Sequence, residues 1–289
     1  MWPADILQAQ AGHGHPGLFW RYGGKVGTTA PGADKEAWRE AHVDAACSFA
    51  KTCVAVGNRH GDAYRRAFNR RTTWLESTAG HGNEVVSVPL EGRLKTGGGE
   101  PTVFECQLAL HPVTGMPRLL ASGLHGLLAA WAFARHQHLP ALSGAGTLAL
   151  ERQHLVALLG HRPGEPDEQA AALVIHDAWW DPLLSTRGPL EKERATNHHP
   201  DYYQGQLRSV IDDGHASDFD NPIPTPLIAT AGCFQLAISH AHIGAAWAQQ
   251  CMHWLRLALA ESGAGASRQT GYGRFRAPAP GPHTQSEGK

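Results

Sequence analysis

The chain has 289 residues, of which 42% are hydrophobic, and its formal net charge at pH 7 is -1. This length allows one large domain or two small ones with a sizeable core. The near-zero charge excludes a global field that attracts nucleic acid or anionic lipid, so a polyanion site must be a local basic patch. The five cysteines form no Cys-x-x-Cys pair, which argues against a disulfide framework or a cysteine zinc site and favours a reducing cytosol. Without a secretory signal at its start, the protein is expected to be cytoplasmic.

Two helices are predicted before residue 80. Lys35–Ala55 and His60–Glu76 lack internal prolines and are separated by a Gly-Asn break. In and beside the second helix arginines outnumber acids, and Arg59, Arg66 and Arg70 would share one helical face. A solvated surface helix, a nucleic-acid patch or a protein interface would each produce this pattern.

Strand signals follow these helices. Glu84–Leu90 is short and β-branched, and Val103–Leu110 alternates apolar with polar residues. Between them, Arg93 and Lys95 lead into a glycine turn. This part of the chain is therefore predicted to contribute strands to a sheet.

Further helices and strands complete the prediction. Ser122 is a plausible N-cap for a helix that runs to about His138. The remaining elements, in chain order, are a helix at Thr147–Leu159, a buried strand at Ala170–His176, a polar functional loop at Leu190–Tyr203, a short strand at Leu207–Ile211, a proline turn cluster at Asp220–Pro226, an apolar strand at Leu227–Ile238 bent or turned back at Gly232, and a helix at Ile243–Ala260.

This order favours an α+β fold with helices on one face of an antiparallel sheet. No sustained strand–helix alternation supports a doubly wound sheet or a barrel. We predict a single domain over residues 1–289, with a helical insertion at about 31–83. The tail at about 277–289 is rich in Pro, Gly and Ser and is predicted to be disordered.

The 19 histidines raise the possibility of a metal enzyme. His176–Asp177 has the composition of a metal-phosphohydrolase dyad, but it ends an apolar strand without supporting histidines at helical spacing. A packing role at the strand end is therefore favoured. The His-x-His pairs lie in different contexts, and residues i and i+2 of a helix do not share a face. We predict no metal and no cofactor, with a histidine-dependent hydrolase as the alternative.

One segment of the predicted polar loop interleaves cations with aromatic rings. A site for single-stranded nucleic acid combines such charges, for phosphates, with flat rings, for bases. The tyrosines could equally be core residues that pin the loop. The candidate residues are Lys192, Arg194, His198, His199, Tyr202 and Tyr203.

A glycine-rich stretch, Gly263–Phe275, follows the last predicted helix, and we name it the glycine loop. Glycine lacks a Cβ, so a polyanion can approach the main chain closely, and exposed N–H groups in such loops form anion-binding concavities. Arg268 and Arg274 would supply charge, and Tyr272 a face for stacking a base. Alone, the pattern also fits a nucleotide site or a simple turn.

Several stretches, in order along the chain, together resemble the RAMP superfamily of CRISPR proteins. The glycine loop is similar to its glycine-rich signature, and Leu120–Gly126 to its Pro-Gly-Ser-Ser-Leu-Lys-Gly helix entry. Further stretches resemble one family within it, the sixth subunit of the type III-B Cmr effector complex. They are His15–Tyr22, Gly92–Gly99 with Val103–Glu105, His111–Pro117, and Ile175–Ala178 with Asn197–Tyr203 and Pro222–Pro226.

The resemblance implies a ferredoxin-like (RRM-like) fold and a subunit that caps the crRNA filament near the guide's 3′ end. Its partners would be crRNA, target RNA and other Cmr subunits, in antiviral defence. Nuclease activity in such complexes belongs to other subunits, so the resemblance implies no enzyme. The chain departs from the family at His125, where a lysine is usual, and at Ser267-Arg268, where Lys-Thr is usual, so the basic function would shift to Arg268.

Main-chain N–H groups of the glycine loop and of the helix start near Ser122 would hold RNA phosphates. Two alternatives stay open: a histidine-dependent ribonuclease or metal-dependent hydrolase, and another RAMP subunit of a type III complex. The complete set of RNA-binding candidates is Arg93, Lys95, Ser122, His125, Lys192, Arg194, His198, His199, Tyr202, Tyr203, Gly265, Arg268, Gln269, Tyr272 and Arg274.

Overall fold

The structure, a computed structural model of the chain, describes residues 35–77, 83–97, 108–139, 151–160, 169–197, 223–240 and 244–279. The predicted strand at 207–211, most of the predicted strand at 103–110, and most of the predicted tail lie outside the described residues. Within the described part, no helix is long and apolar enough to cross a membrane.

Five helices are described, and each lies within a segment predicted to be helical, to within a residue at either end. The bounds of the first, second and fifth helices differ from the predicted bounds by one or two residues. The third helix ends in a 3-10 turn, His136–His138. The helices are α1 Lys35–Val54, α2 Arg59–Ser77, α3 Ala121–Arg135, α4 Arg152–Leu159 and α5 Ala245–Glu261.

Seven strands form two antiparallel sheets in the described part of the chain. The seventh strand lies at the centre of the five-stranded sheet and pairs with the first strand on one side. On its other side it pairs with the third and fourth strands, which lie end to end. The second strand pairs with the outer edge of the fourth. The fifth and sixth strands pair only with each other as a two-stranded sheet. The strands are β1 Glu84–Pro89, β2 Arg118–Leu119, β3 Leu173–Ile175, β4 Ala178–Trp180, β5 Leu190–Asn197, β6 Ile223–Thr230 and β7 Cys233–His240.

One face of the five-stranded sheet packs on α3 and α5. Phe234, Leu236 and Ile238 alternate along β7 and so point to the same face. They belong to the main apolar cluster, which also contains α3 and α5 residues. Phe234 contacts Phe275, just beyond α5, with ring centroids 6.0 Å apart. This face is the hydrophobic core of the molecule.

The opposite face is covered by α2. Gln235, on the other side of β7, accepts a hydrogen bond from Arg71 at 2.5 Å and donates one to Thr72 at 2.9 Å. The buried Tyr64 hydroxyl donates to the Trp180 carbonyl at 2.5 Å. The prediction of helices on one face is therefore incomplete, because a helix of the predicted insertion covers the second face.

Two segments predicted as loop or turn are strands. Part of Leu190–Tyr203 forms β5, and Asp220–Pro226 runs into β6. Leu190 is buried with Ile228 of β6 against α1, so the strand has apolar anchors that its polar composition hides. β6 accommodates two prolines because it is an edge strand, where a missing N–H need not break a ladder. The short strand β4 was also missed.

Gly232 bends the chain between the two sheets, as its sequence position predicts. Its φ of 103° is unfavourable for other residues, and a Cβ there would lie 2.7 Å from both the Trp180 indole nitrogen and the Ser185 hydroxyl. The bend leads β6 into β7 without pairing the two strands with each other. The apolar stretch on the two sides of Gly232 thus contributes one strand to each sheet.

Candidate functional site

The glycine loop is closed by its own hydrogen bonds and clamped to the segment before it. Gly273 N–H donates to the Arg93 carbonyl at 2.7 Å, and Ala266 N–H donates to the Lys95 carbonyl at 2.8 Å. Ala264 N–H donates to the Gly273 carbonyl at 2.9 Å. Loop amides with internal acceptors also include those of Thr270, Gly271 and Tyr272. The predicted main-chain cradle for phosphates is thus smaller than the sequence suggests.

Glycine is required at several positions of this loop. Gly263, Gly265, Gly271 and Gly273 all have positive φ, between 70° and 90°. A Cβ on Gly265 would overlap the Lys95 carbonyl oxygen, and one on Gly273 would overlap that of Ala264. The glycines therefore permit a tight, fixed loop, in addition to any approach of a ligand.

A cleft of about 530 Å³ lies between the glycine loop and the start of α3. It brings together the two regions that the sequence predicts to hold phosphates, although they are far apart along the chain. Its walls are mostly glycine and apolar side chains, with two arginines. The lining includes Thr96, Gly97, Arg118, Leu120, Gly123, Leu124, Leu127, Gly263, Gly265 and Arg268.

The start of α3 is capped by a distant carboxylate, so the prediction of Ser122 as N-cap is wrong. The N-cap residue is Leu120, without a side-chain capping bond, and Ser122 is an exposed residue inside the helix. Asp177 accepts the Ala121 N–H at 2.8 Å and pairs with the Arg118 guanidinium at 2.7 Å. A carboxylate at a helix N-terminus is favourable. Helix-start patterns in sequence cannot detect a cap supplied from 56 residues away.

Arg118 is a cleft residue that sequence reasoning missed. It directly follows the His111–Pro117 motif and precedes α3, which is the signal that could have drawn attention to it. Its Nε is buried without a hydrogen-bond partner in the described part of the chain. The Asp177 contact uses another nitrogen of the same guanidinium, so Arg118 lines the cleft as a residue that is already ion-paired.

Three predicted RNA-binding cations are held by carboxylates of the protein. Arg93 pairs with Glu191 at 3.1 Å and with Glu193, and hydrogen bonds to these acids raise its pKa. Lys192 pairs with Glu40 at 2.7 Å and Asp44 at 2.9 Å, and Arg194 pairs with Glu40. The pKa of Lys192 is raised first by its hydrogen bond to Glu40. These pairs join β5 to α1 and to the segment beneath the glycine loop.

Tyr272 and Arg274 of the glycine loop also have internal partners. The Lys95 ammonium lies over one face of the Tyr272 ring, 4.0 Å from the ring centre. Burial, and then a hydrogen bond to Glu193, raise the pKa of Tyr272. Arg274 donates to the Ala260 carbonyl at 3.1 Å, near the end of α5. Tyr272 can offer a base at most one free face, and Arg274 supports the helix end.

Four polar residues of the loop are exposed, Ser267, Arg268, Gln269 and Thr270, and the last three form a 3-10 turn. Arg268 lines the cleft, and its side chain has no ion pair within the described chain. His125 is half-buried in α3, and its Nε2 has no hydrogen-bond partner among described residues. The candidates His198, His199, Tyr202 and Tyr203 lie outside the described residues.

The His176–Asp177 pair does not form a shared site. His176 Nε2 lies 2.8 Å from the Ser239 hydroxyl, and its ring meets the Trp74 ring edge-on at 5.7 Å. Asp177 is occupied by Arg118 and the start of α3. Over the described ranges, no cluster of three or more His, Cys, Asp or Glu could hold a metal.

His176 should make stability depend on pH. Burial, and then the Arg71 charge, lower the pKa of His176, so the unfolded state takes up a proton more readily than the folded one. The free energy of unfolding should therefore fall as pH drops below about 6.5, the ordinary pKa of histidine. Urea unfolding at about pH 7.5 and about pH 5.5 should show a smaller decrease for His176→Gln than for the wild type.

His253 provides the comparison for this experiment. Its pKa is also lowered by burial, followed by the Arg256 charge. Part of the pH dependence should therefore survive in His176→Gln and shrink further in His176→Gln/His253→Gln. An identical pH dependence in all three proteins would contradict the role of these buried rings.

Comparison with solved structures identifies a known protein with a similar fold. No family model matches the sequence, and no curated protein matches it. The chain is similar to a solved structure, the cryo-EM structure of the Type III-B Cmr-beta bound to cognate target RNA, with TM-score 0.58 and 14% identity over 96% of this chain and 88% of that one. It also aligns with Cmr6 from Pyrococcus furiosus at TM-score 0.42 and 16% identity, over 68% of this chain and 98% of that one. The first likeness shows a shared fold with a Type III-B Cmr structure.

Proposed function

We propose that this chain is a non-catalytic, RNA-binding subunit of a type III-B CRISPR effector complex. The observation that carries the proposal is the cleft in which the glycine loop meets the start of α3, on a fold shared with a Type III-B Cmr structure. In this proposal it is the sixth subunit, which caps the crRNA filament near the guide's 3′ end and helps position crRNA and target RNA. Its other partners are Cmr subunits.

The chemistry of the cleft suits an RNA backbone better than a base. Glycines on both walls allow close approach of phosphate and sugar. Arg268 is exposed and has no ion pair within the described chain, and Arg118, which pairs with Asp177, also lines the cleft. Guanidinium groups donate to phosphate oxygens without reading sequence. A guide-bearing complex needs such contacts because its guide sequence varies.

Replacing Arg268 with glutamine should weaken RNA binding. We expect about a tenfold loss of affinity for a fluorescein-labelled oligouridine, because one charge-assisted contact is lost. The dependence of log affinity on log salt should become shallower by about 0.7, the value for one phosphate on a single strand. Fluorescence anisotropy at several salt concentrations, on the full chain and on the assembled complex, measures both quantities.

Two further variants locate the effect in the cleft. Arg276→Gln removes an exposed arginine near the same end of the chain that does not line the cleft, and it should leave binding unchanged. Gly123→Leu adds bulk to the cleft at a helical position with no atom within 4 Å of an added Cβ, so it should weaken binding without loss of stability. The cleft is not the RNA site if Arg268→Gln and Gly123→Leu both bind as the wild type does.

The non-catalytic and sixth-subunit parts of the proposal have separate tests. The oligouridine should be recovered intact on a denaturing gel after incubation with the full chain. Cleavage that His176→Ala abolishes would favour the hydrolase instead. Co-purification with the other Cmr subunits and a small RNA, at one end of the assembled complex, would support the sixth-subunit position.

A further inference from the structure

The exposed side of α2 carries a row of cations that the cleft does not use. Arg59, Arg66 and Arg70 are exposed, and Trp74 at the end of the row has 54% of its surface exposed. Residues four apart lie on one helical face, so the last three form one stripe. We name these four residues the arginine ridge. At 1.5 Å per residue the ridge is about 22 Å long, roughly the length of six stacked nucleotides.

The ridge arginines differ from their neighbours on the same helix. Arg71 is turned toward the sheet, where it meets Gln235, the Asp177 carbonyl and the Trp179 ring. Arg65 donates to the Val54 carbonyl and pairs with Asp62. These two arginines therefore hold the fold together, whereas no ridge arginine has an ion pair within the described ranges.

The ridge arginines contrast with several other cations of the described chain, which have carboxylate partners. Arg93, Lys192 and Arg194 meet carboxylates of β5 or α1, and Arg135 meets Glu261. Asp62, the acid within the ridge's length, is engaged by Arg65. In a chain of net charge -1, three guanidinium groups on one face that have no ion pair among the described residues create a local positive field.

We infer that the arginine ridge is a second surface for single-stranded RNA. Guanidinium groups in a row would meet successive phosphates, and the exposed Trp74 would stack on a base, which is the combination that single-stranded sites use. The edge-on contact with the His176 ring holds the Trp74 ring in place beside the arginines.

The ridge and the cleft lie on opposite sides of the five-stranded sheet. α2 packs on the face of Gln235, whereas the glycine loop leads into Phe275 on the face of Phe234. The two surfaces can therefore be mutated independently, since distant sites usually contribute additively. The choice of RNA as the partner follows the proposed function, but the location and the charge of the ridge do not depend on it.

The test uses the full chain and a fluorescein-labelled oligouridine of about 12 nucleotides, twice the ridge's length in stacked nucleotides. Arg66→Gln/Arg70→Gln should weaken binding about a hundredfold, about tenfold for each charge-assisted contact, and make the salt dependence shallower by about 1.4, since two phosphate contacts are lost at about 0.7 each. Trp74→Leu, which keeps an apolar contact with His176, should weaken binding about tenfold with an unchanged salt dependence. Ridge and Arg268→Gln effects on log affinity should add.

Arg135→Gln/Arg152→Gln is the matched control, because it also removes two charges from helices of the same chain. This control should bind as the wild type does. The inference is overturned if Arg66→Gln/Arg70→Gln has the affinity and salt dependence of the control. Loss of a co-purifying protein subunit in that variant, with RNA binding intact, would likewise overturn it and identify a protein-docking face. If the ridge variant binds as the control does, the Arg268→Gln and Gly123→Leu results still test separately whether the cleft binds RNA.

Discussion

Gly273→Ala is expected to lower the free energy of unfolding by about 4 kcal/mol. The left-handed conformation itself costs about 1–2 kcal/mol for alanine. The new Cβ would also overlap the Ala264 carbonyl oxygen. Relieving that overlap breaks the Ala264–Gly273 and Gly273–Arg93 hydrogen bonds, each worth about 1 kcal/mol. Urea unfolding followed by circular dichroism measures the change.

Gly271→Ala is the matched control for this prediction. Gly271 has a similar positive φ of 90°, but no atom lies within 4 Å of an added Cβ. We expect a loss of about 1–2 kcal/mol, which is the conformational part alone. RNA affinity should fall in Gly273→Ala, because the loop must move, and hold in Gly271→Ala. Equal losses of stability in the two variants would show that the loop absorbs the overlap freely.

Asp181→Ala is expected to lower the free energy of unfolding by about 3 kcal/mol. Asp181 is 2% exposed and lies at the end of β4. One carboxylate oxygen accepts the Leu183 and Leu184 amides at 2.7 and 3.0 Å, and the other accepts the Ser87 hydroxyl at 2.5 Å. Alanine would leave these three donors without their acceptor, and each hydrogen bond contributes about 1 kcal/mol net.

Two companion variants divide that effect. Ser87→Ala removes one of the three donors and should cost about 1 kcal/mol. Asp181→Asn keeps an oxygen for the two amides and should lie between the two alanine variants in stability. Urea unfolding of all three gives the order. A smaller loss in Asp181→Ala than in Ser87→Ala would mean that the turn after β4 is held by something other than this carboxylate.

The helices could be predicted from sequence because their signals are local. α1, α2 and α5 each show an uninterrupted pattern with clear ends, so the structure differs from the prediction by a few residues at most. β5 could not be predicted in this way. Its charges are compensated by Glu40 and Asp44, about 150 positions earlier in the chain. Without that knowledge, the polar segment has the composition of a loop.

The same distinction applies to the candidate site. The sequence predicts the tight glycine loop, because glycine constrains backbone geometry directly, but not that the loop lies beside the α3 start. It does not predict which charges remain available. Arg93 and Arg274 are taken up by internal acceptors, and Arg118 enters the cleft from a two-residue strand. Ion pairing and capping depend on residues distant in sequence, so they become visible only in the fold.

The bend at Gly232 has a mechanical consequence. Leu94 and Thr230 exchange backbone hydrogen bonds in both directions at 2.8 Å, and Leu90 N–H donates to the Gly232 carbonyl at 2.9 Å. These hydrogen bonds join the last residue of β6, and the bend after it, to the segment that follows β1. A force on β5 and β6 would therefore reach the five-stranded sheet by two routes, through these hydrogen bonds to the segment after β1 and through the chain at Gly232 into β7.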